Sequence, residues 1–75
     1  MNETVFQSLR TWRSEQARAQ NVAAFVILHD SVLSAIATQL PVTLEALSLL
    51  KGIGPRKLEL YGQAVIELVR KHTLQ

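Results

Sequence analysis

The chain has 75 residues, 48% of them hydrophobic, with 8 Lys and Arg against 6 Asp and Glu and no cysteine; that is enough for one domain with one small core. Without cysteine neither a disulfide framework nor a thiolate metal site can reinforce the core, and the absence fits a reducing compartment. The longest apolar run, residues 22–28, is far short of the ~18 residues a membrane span needs, and Glu3 with no basic stretch argues against a signal peptide. A cytoplasmic, monomeric module of a larger protein is expected, with no membrane partner.

In chain order, Thr4-x-x-Gln7 reads as a capping box opening the first helix. Val5, Leu9, Trp12 and either Gln16 or Ala19 fall on one face, which leaves Arg10, Arg13 and Arg18 in water. Asn21 is a suitable stop, because Asn tolerates the left-handed position after a helix. Residues 22–28 are β-branched enough for a strand, but no later segment offers a partner, so a short helical turn buried on most sides is expected. Asp30 reads as the N-cap of a helix over residues 31–39 that buries Val32, Leu33 and Ile36, with Leu40 beyond its end. Pro41 ends that helix, since the residue before proline avoids the α region. Thr43 caps a short helix carrying Leu44, Leu47, Leu49 and Leu50, with Glu45 in the first turn where the dipole favours it. Gly52 and Gly54 then break the chain, and Pro55 opens the last helix at a position where its missing N–H costs nothing. That helix shows regular spacing at Leu58, Tyr61, Val65, Leu68 and His72. The whole reads as a compact all-α bundle.

Charge is unevenly placed. Residues 1–50 hold three arginines against four acids, whereas residues 51–75 hold five cations against two acids. The segment Lys51-Gly52-Ile53-Gly54-Pro55-Arg56-Lys57 gathers three of those cations at a turn that runs into a helix N-terminus, where backbone N–H groups and side chains together favour anions. Nucleic-acid phosphate is the first candidate. The alternative is a structural turn, with Gly54 at a positive φ and its cations solvated.

Catalytic chemistry has no foothold. His29 and His72 are the two histidines, without cysteine and with few carboxylates, and no Gly-x-x-x-x-Gly-Lys-Ser/Thr loop is present. No metal, no cofactor and no enzymatic activity are expected of this domain itself. Trp12 and Tyr61 lie on apolar faces and read as core. Phe25 follows a helix end bearing Arg18 and Asn21 and is either core or a base-stacking ring beside cations.

Leu9-x-x-Trp12-Arg13, residues 21–27, Asp30-x-x-Leu33, Ile36-Ala37, Leu40-Pro41 and Leu50-x-Gly52-Ile53-Gly54-x-x-Lys57-x-x-x-Tyr61-Gly62 together resemble the HRDC domain of RecQ-family DNA helicases and of ribonuclease D, over residues 5–72. The resemblance is nearest to bacterial RecQ helicases, whose parent proteins bind and hydrolyse ATP. It implies a bundle of about five helices, with residues 22–28 supplying the short extra one. It also implies an auxiliary role, contacting single-stranded or partial-duplex DNA and tuning substrate selection in repair and recombination. The position of the family's DNA-binding aromatic matches Phe25, and Arg18, Asn21, Lys51, Arg56 and Lys57 are the residues placed around it. The family's Val-Pro-x-Tyr is Val22-Ala23-Ala24-Phe25 here, which removes a hydroxyl and a rigid proline and implies weaker DNA affinity. A docking module for the helicase core or another protein, and an RNA-gripping domain of a ribonuclease D, are the alternatives.

Overall fold

Five helices form the domain in the computed structural model, which describes residues 1–74: α1 (Glu3–Gln20), α2 (Ala24–Ile27), α3 (Asp30–Gln39), α4 (Leu44–Ser48) and α5 (Pro55–Thr73). The all-α bundle expected from the periodicity is the observed architecture. Its core joins Val5 and Leu9 of α1, Ile27 and Leu28, Leu33, Ile36 and Ala37 of α3, Leu47 of α4, and Val65, Ile66 and Val69 of α5. Each of the Val, Leu and Ile side chains among them contributes on the order of 1.5–3 kcal/mol through burial.

The start of α1 lies earlier than the capping box suggested. Asn2 is the cap: its Oδ1 accepts the Val5 N–H at 2.9 Å, and its own N–H donates to the Ala37 carbonyl at 2.8 Å, which ties the helix start to α3. Thr4 therefore lies inside the helix, and Gln7 donates to Glu3 instead. At the other end Asn21 takes the left-handed conformation expected of it (φ 56°), and the Val22 N–H returns to the Ala17 carbonyl at 3.0 Å, as in a Schellman closure. The buried stripe of α1 is Val5, Leu9, Arg13 and Ala17, with Trp12 half-buried; Ala19 is exposed. Arg13, expected in water, is only 7% exposed. A period of four carries the stripe through it, and two acceptors described below compensate its charge.

The segment over residues 22–28 is helical only at Ala24–Ile27, and a single turn can turn only one side inward. Ile27 and Leu28 are buried, whereas Val22, Phe25 and Val26 face solvent, which corrects the expectation of burial on most sides. Helix α3 starts at Asp30 with His29 in the cap position and no side-chain capping bond, so Asp30 is not the N-cap. It ends at Leu40, which turns left-handed (φ 53°, ψ 56°) immediately before the buried Pro41. That conformation costs a non-glycine residue roughly 1–2 kcal/mol.

Thr43 caps α4 as expected, its Oγ1 accepting the Ala46 N–H at 3.0 Å. Leu47 is buried, but Leu49 lies beyond the helix end and is 82% exposed, while the half-buried Leu50 packs on the core in its place. In the following turn the positive φ belongs to Gly52 (+95°) and not to Gly54, which is extended (φ −85°, ψ 174°). A Cβ on Gly52 would lie 2.6 Å from Val32 Cγ2, whereas one on Gly54 would meet open space.

Pro55 opens α5 at its first position. Tyr61 and Val65 are buried as the spacing implied, Leu58, Leu68 and His72 are half-buried, and Gly62, Ile66 and Val69 widen the inward face. Helices α1 and α5 run antiparallel. Ser8 Oγ and His72 Nε2 lie 3.1 Å apart near one end, and Gln20 Nε2 donates to Tyr61 Oη at 2.9 Å toward the other. Between them the Trp12 and Tyr61 rings meet edge to face, centroids 5.5 Å apart.

Candidate nucleic-acid interface

The α2 end of the bundle holds most of the residues that the sequence singled out. Phe25 is 61% exposed, so it is not core. One face of its ring stacks on His29, with centroids 6.0 Å apart and planes inclined by 25°. Phe25 differs in this from Trp12 and Tyr61, which pack inward. Val22 and Val26 flank it as exposed apolar residues.

Cations from two other helices hold α2 in place. Arg13 of α1 donates through Nη1 to the Leu28 carbonyl at 2.8 Å and pairs with Asp30 Oδ1 at 2.7 Å. Lys57 of α5 donates through Nζ to the carbonyl oxygens of Val26 and of Ile27, the latter at 2.7 Å, with its ammonium 6.0 Å from the Tyr61 ring centroid. The C-terminal carbonyls of so short a helix have no partners inside it, and charged donors satisfy them more strongly than neutral ones. Three consecutive carbonyls, those of Val26, Ile27 and Leu28, are thus taken by side chains 15 to 31 residues away in sequence.

The remaining candidates are placed as follows. Arg18 sits in the last turn of α1 and Asn21 at its cap, both exposed and leading into α2. Lys51 is exposed in the turn before α5, and Arg56 is exposed at the start of α5, where it pairs with Glu59 at 3.1 Å. Among the described residues, the side chains of Arg18 and Lys51 make no hydrogen bond or ion pair, which leaves their charges available. Of the three cations in the Lys51–Lys57 segment only Lys57 is tied to α2 by a hydrogen bond. Sequence reasoning missed Arg13, Asp30 and His29 as parts of this end of the molecule. The four-residue spacing Val5, Leu9, Arg13, Ala17 was the signal for Arg13; nothing local marked the other two.

Among the described residues no group of three His, Asp or Glu side chains could hold a metal ion, and no helix is long and apolar enough to cross a membrane. Five helices, the left-handed Asn21, the glycine turn before a proline-started helix and the exposed aromatic of α2 together define the class of small helical domain to which the chain belongs. The HRDC domain family model matches residues 2–69, and the chain is a member of that family.

The third HRDC domain of Deinococcus radiodurans RecQ superimposes with a TM-score of 0.90 at 28% identity, covering 95% of this chain and 93% of that one. Among curated proteins, the ATP-dependent DNA helicase UvrD2 of Mycobacterium tuberculosis H37Rv is 45% identical over 73 residues, 97% of this chain and 10% of the helicase. The ATP-dependent DNA helicase RecQ of Bacillus subtilis 168 is 31% identical over 71 residues, 95% of this chain and 12% of the helicase. The chain thus spans about a tenth of the length of the curated relatives it matches.

Proposed function

We propose that this domain is an auxiliary nucleic-acid-binding module of an ATP-dependent DNA helicase of RecQ or UvrD2 type, contacting single-stranded or partial-duplex DNA through its α2 end and biasing which structures the helicase engages in repair and recombination. The observation that carries the reading is the Phe25 ring, 61% exposed and stacked on His29. An aromatic held in this way gives a base a stacking surface worth about 1–3 kcal/mol, without sequence preference. Arg18 and Lys51, whose charges are unspent, supply phosphate contacts; Asn21, Arg56 and Lys57 complete the surface. Catalysis of strand separation belongs to the parent protein, and the domain acts as a monomer.

A titration of the isolated domain with single-stranded DNA over a salt series tests this. Binding that weakens with salt, falls on Phe25→Ala with unchanged salt slope, and loses about 0.7 of slope on Lys51→Ala is the expected result. Absence of binding at low salt would sink it. The exposed Val22 and Val26 beside Phe25 favour a second reading, docking of the same surface onto the helicase core, which predicts no DNA binding but altered helicase activity in the Phe25→Ala parent.

A further inference from the structure

Lys57 belongs to the basic turn by sequence, yet its ammonium faces inward to the chain's own backbone. We infer that Lys57 is a positioning residue: it builds the α2 platform by clamping the Val26 and Ile27 carbonyls, and it presents Phe25 rather than gripping phosphate. This rests on the reading of α2 as the DNA-contacting surface.

Three observations support the inference. First, α2 has little of its own to hold it. It is four residues long, its N-cap Ala23 makes no side-chain capping bond, and Ile27 is its one buried residue. A single helical turn is unstable without outside support, because nucleation fixes several residues for one or two hydrogen bonds. Second, the donors that complete it come from elsewhere, Lys57 of α5 on Val26 and Ile27 and Arg13 of α1 on Leu28. Third, Phe25 lies immediately before the clamped residues, and its stacking on His29 requires α2 and the start of α3 to keep their mutual geometry. An ammonium engaged by two carbonyls is a poor counterion for a phosphate passing over the surface, since the contact would require breaking bonds already made. The roles of the basic residues therefore divide: Arg18 and Lys51 carry charge to the backbone of the nucleic acid, and Lys57, with Arg13, shapes the surface on which a base stacks.

Two measurements test the inference separately from DNA binding itself. The first is amide hydrogen exchange and the imidazole proton shifts of His29 in the intact domain. Lys57→Met should speed exchange at the Val26 and Leu28 amides by about tenfold or more while leaving Val65 and Val69 unchanged. It should also erase the ring-current shift that Phe25 imposes on His29, and Lys57→Arg, which keeps charged donors, should restore both. Unchanged exchange and unchanged His29 shifts in Lys57→Met would overturn the clamp whatever the domain binds. If Lys57→Met loses its helical circular dichroism, Lys57→Gln, which keeps N–H donors but no charge, replaces it in the same measurement.

The second is a double-mutant cycle with oligo-dT over a salt series. Lys57→Met should weaken binding with the salt slope unchanged, and in the Phe25→Ala background it should add nothing. Additive losses with a slope reduced by about 0.7 would make Lys57 a phosphate contact and overturn the assignment. If the parent domain does not bind oligo-dT, the proposed function fails, while the exchange and His29 measurements still decide whether Lys57 positions α2.

Discussion

The two short helices of this domain, α2 with four residues and α4 with five, both lean on α5 but differ in whether their own side chains cap them. Helix α4 makes its own end bonds and packs on α5, whose Arg70 also donates to the Val42 carbonyl just ahead of it at 2.9 Å. Thr43 caps its first turn, Ser48 Oγ donates to the Glu45 carbonyl at 2.6 Å, and Leu44 packs over Gly62, where a Cβ would come within 2.7 Å of Leu44 Cδ2. Helix α2 has no side-chain cap and depends on a lysine and an arginine that reach in from α5 and α1. Both helices leave apolar side chains exposed, Leu44 on α4 and Phe25 and Val26 on α2, and it is α2 that carries the exposed aromatic.

That contrast can be broken most severely at the turn after α4. Gly52→Ala should cost about 2–4 kcal/mol, combining the strain of a positive φ with overpacking against the buried, stiff Val32. Gly54→Ala should change stability by less than about 0.5 kcal/mol, because its backbone is extended and its Cβ would meet nothing. Thermal unfolding of the pair checks both, and equal losses would place the strain wrongly. Next in size, Arg13→Ala should cost about 2 kcal/mol by leaving the buried Leu28 carbonyl without its donor, and denaturant titration with hydrogen exchange should show α2 opening before α3 and α5.

Thr43→Ala should cost roughly 1 kcal/mol, the usual value of a side-chain N-cap, and no such loss should follow substitution of Ala23, which caps nothing. The smallest effect on stability is expected at Phe25. Phe25→Ala should stay within about 0.5 kcal/mol by calorimetry because the ring is largely exposed, so any loss of DNA affinity in that variant reports on contact and not on folding.

The same contrast explains what was legible in the sequence. Elements specified by nearby residues were readable: Asn21 as a left-handed stop, Thr43 as a cap, Pro55 as a helix start, and the inward Tyr61 and Val65. Errors arose where two candidates of similar local merit competed. Asn2 prevailed over Thr4 as the first cap because its N–H also bonds to Ala37, and Gly52 prevailed over Gly54 because Val32 packs against it. Asp30 looked like an N-cap by local rules, yet its carboxylate serves Arg13, 17 positions earlier. Lys57 and Arg13 were read as solvated or phosphate-facing cations because their acceptors are main-chain carbonyls of a distant segment, and a carbonyl leaves no trace in the amino-acid code. For Phe25 the residue pattern leaves core and stacking ring both open, and its exposure in the structure excludes the core.

The antiparallel pairing of α1 and α5 also gives the domain a handle and a working end. Ser8 meets His72 near one end of α5, whereas Lys57 and the α2 carbonyls lie toward the other, with most of α5 between them. At 1.5 Å per residue, His72 and Lys57 are separated along the helix by roughly 22 Å. A dye or surface linker attached beside Ser8 or His72 therefore sits toward the far end of α5 from Lys57 and the α2 it holds, and an immobilised domain holds out its aromatic platform like the tip of a probe.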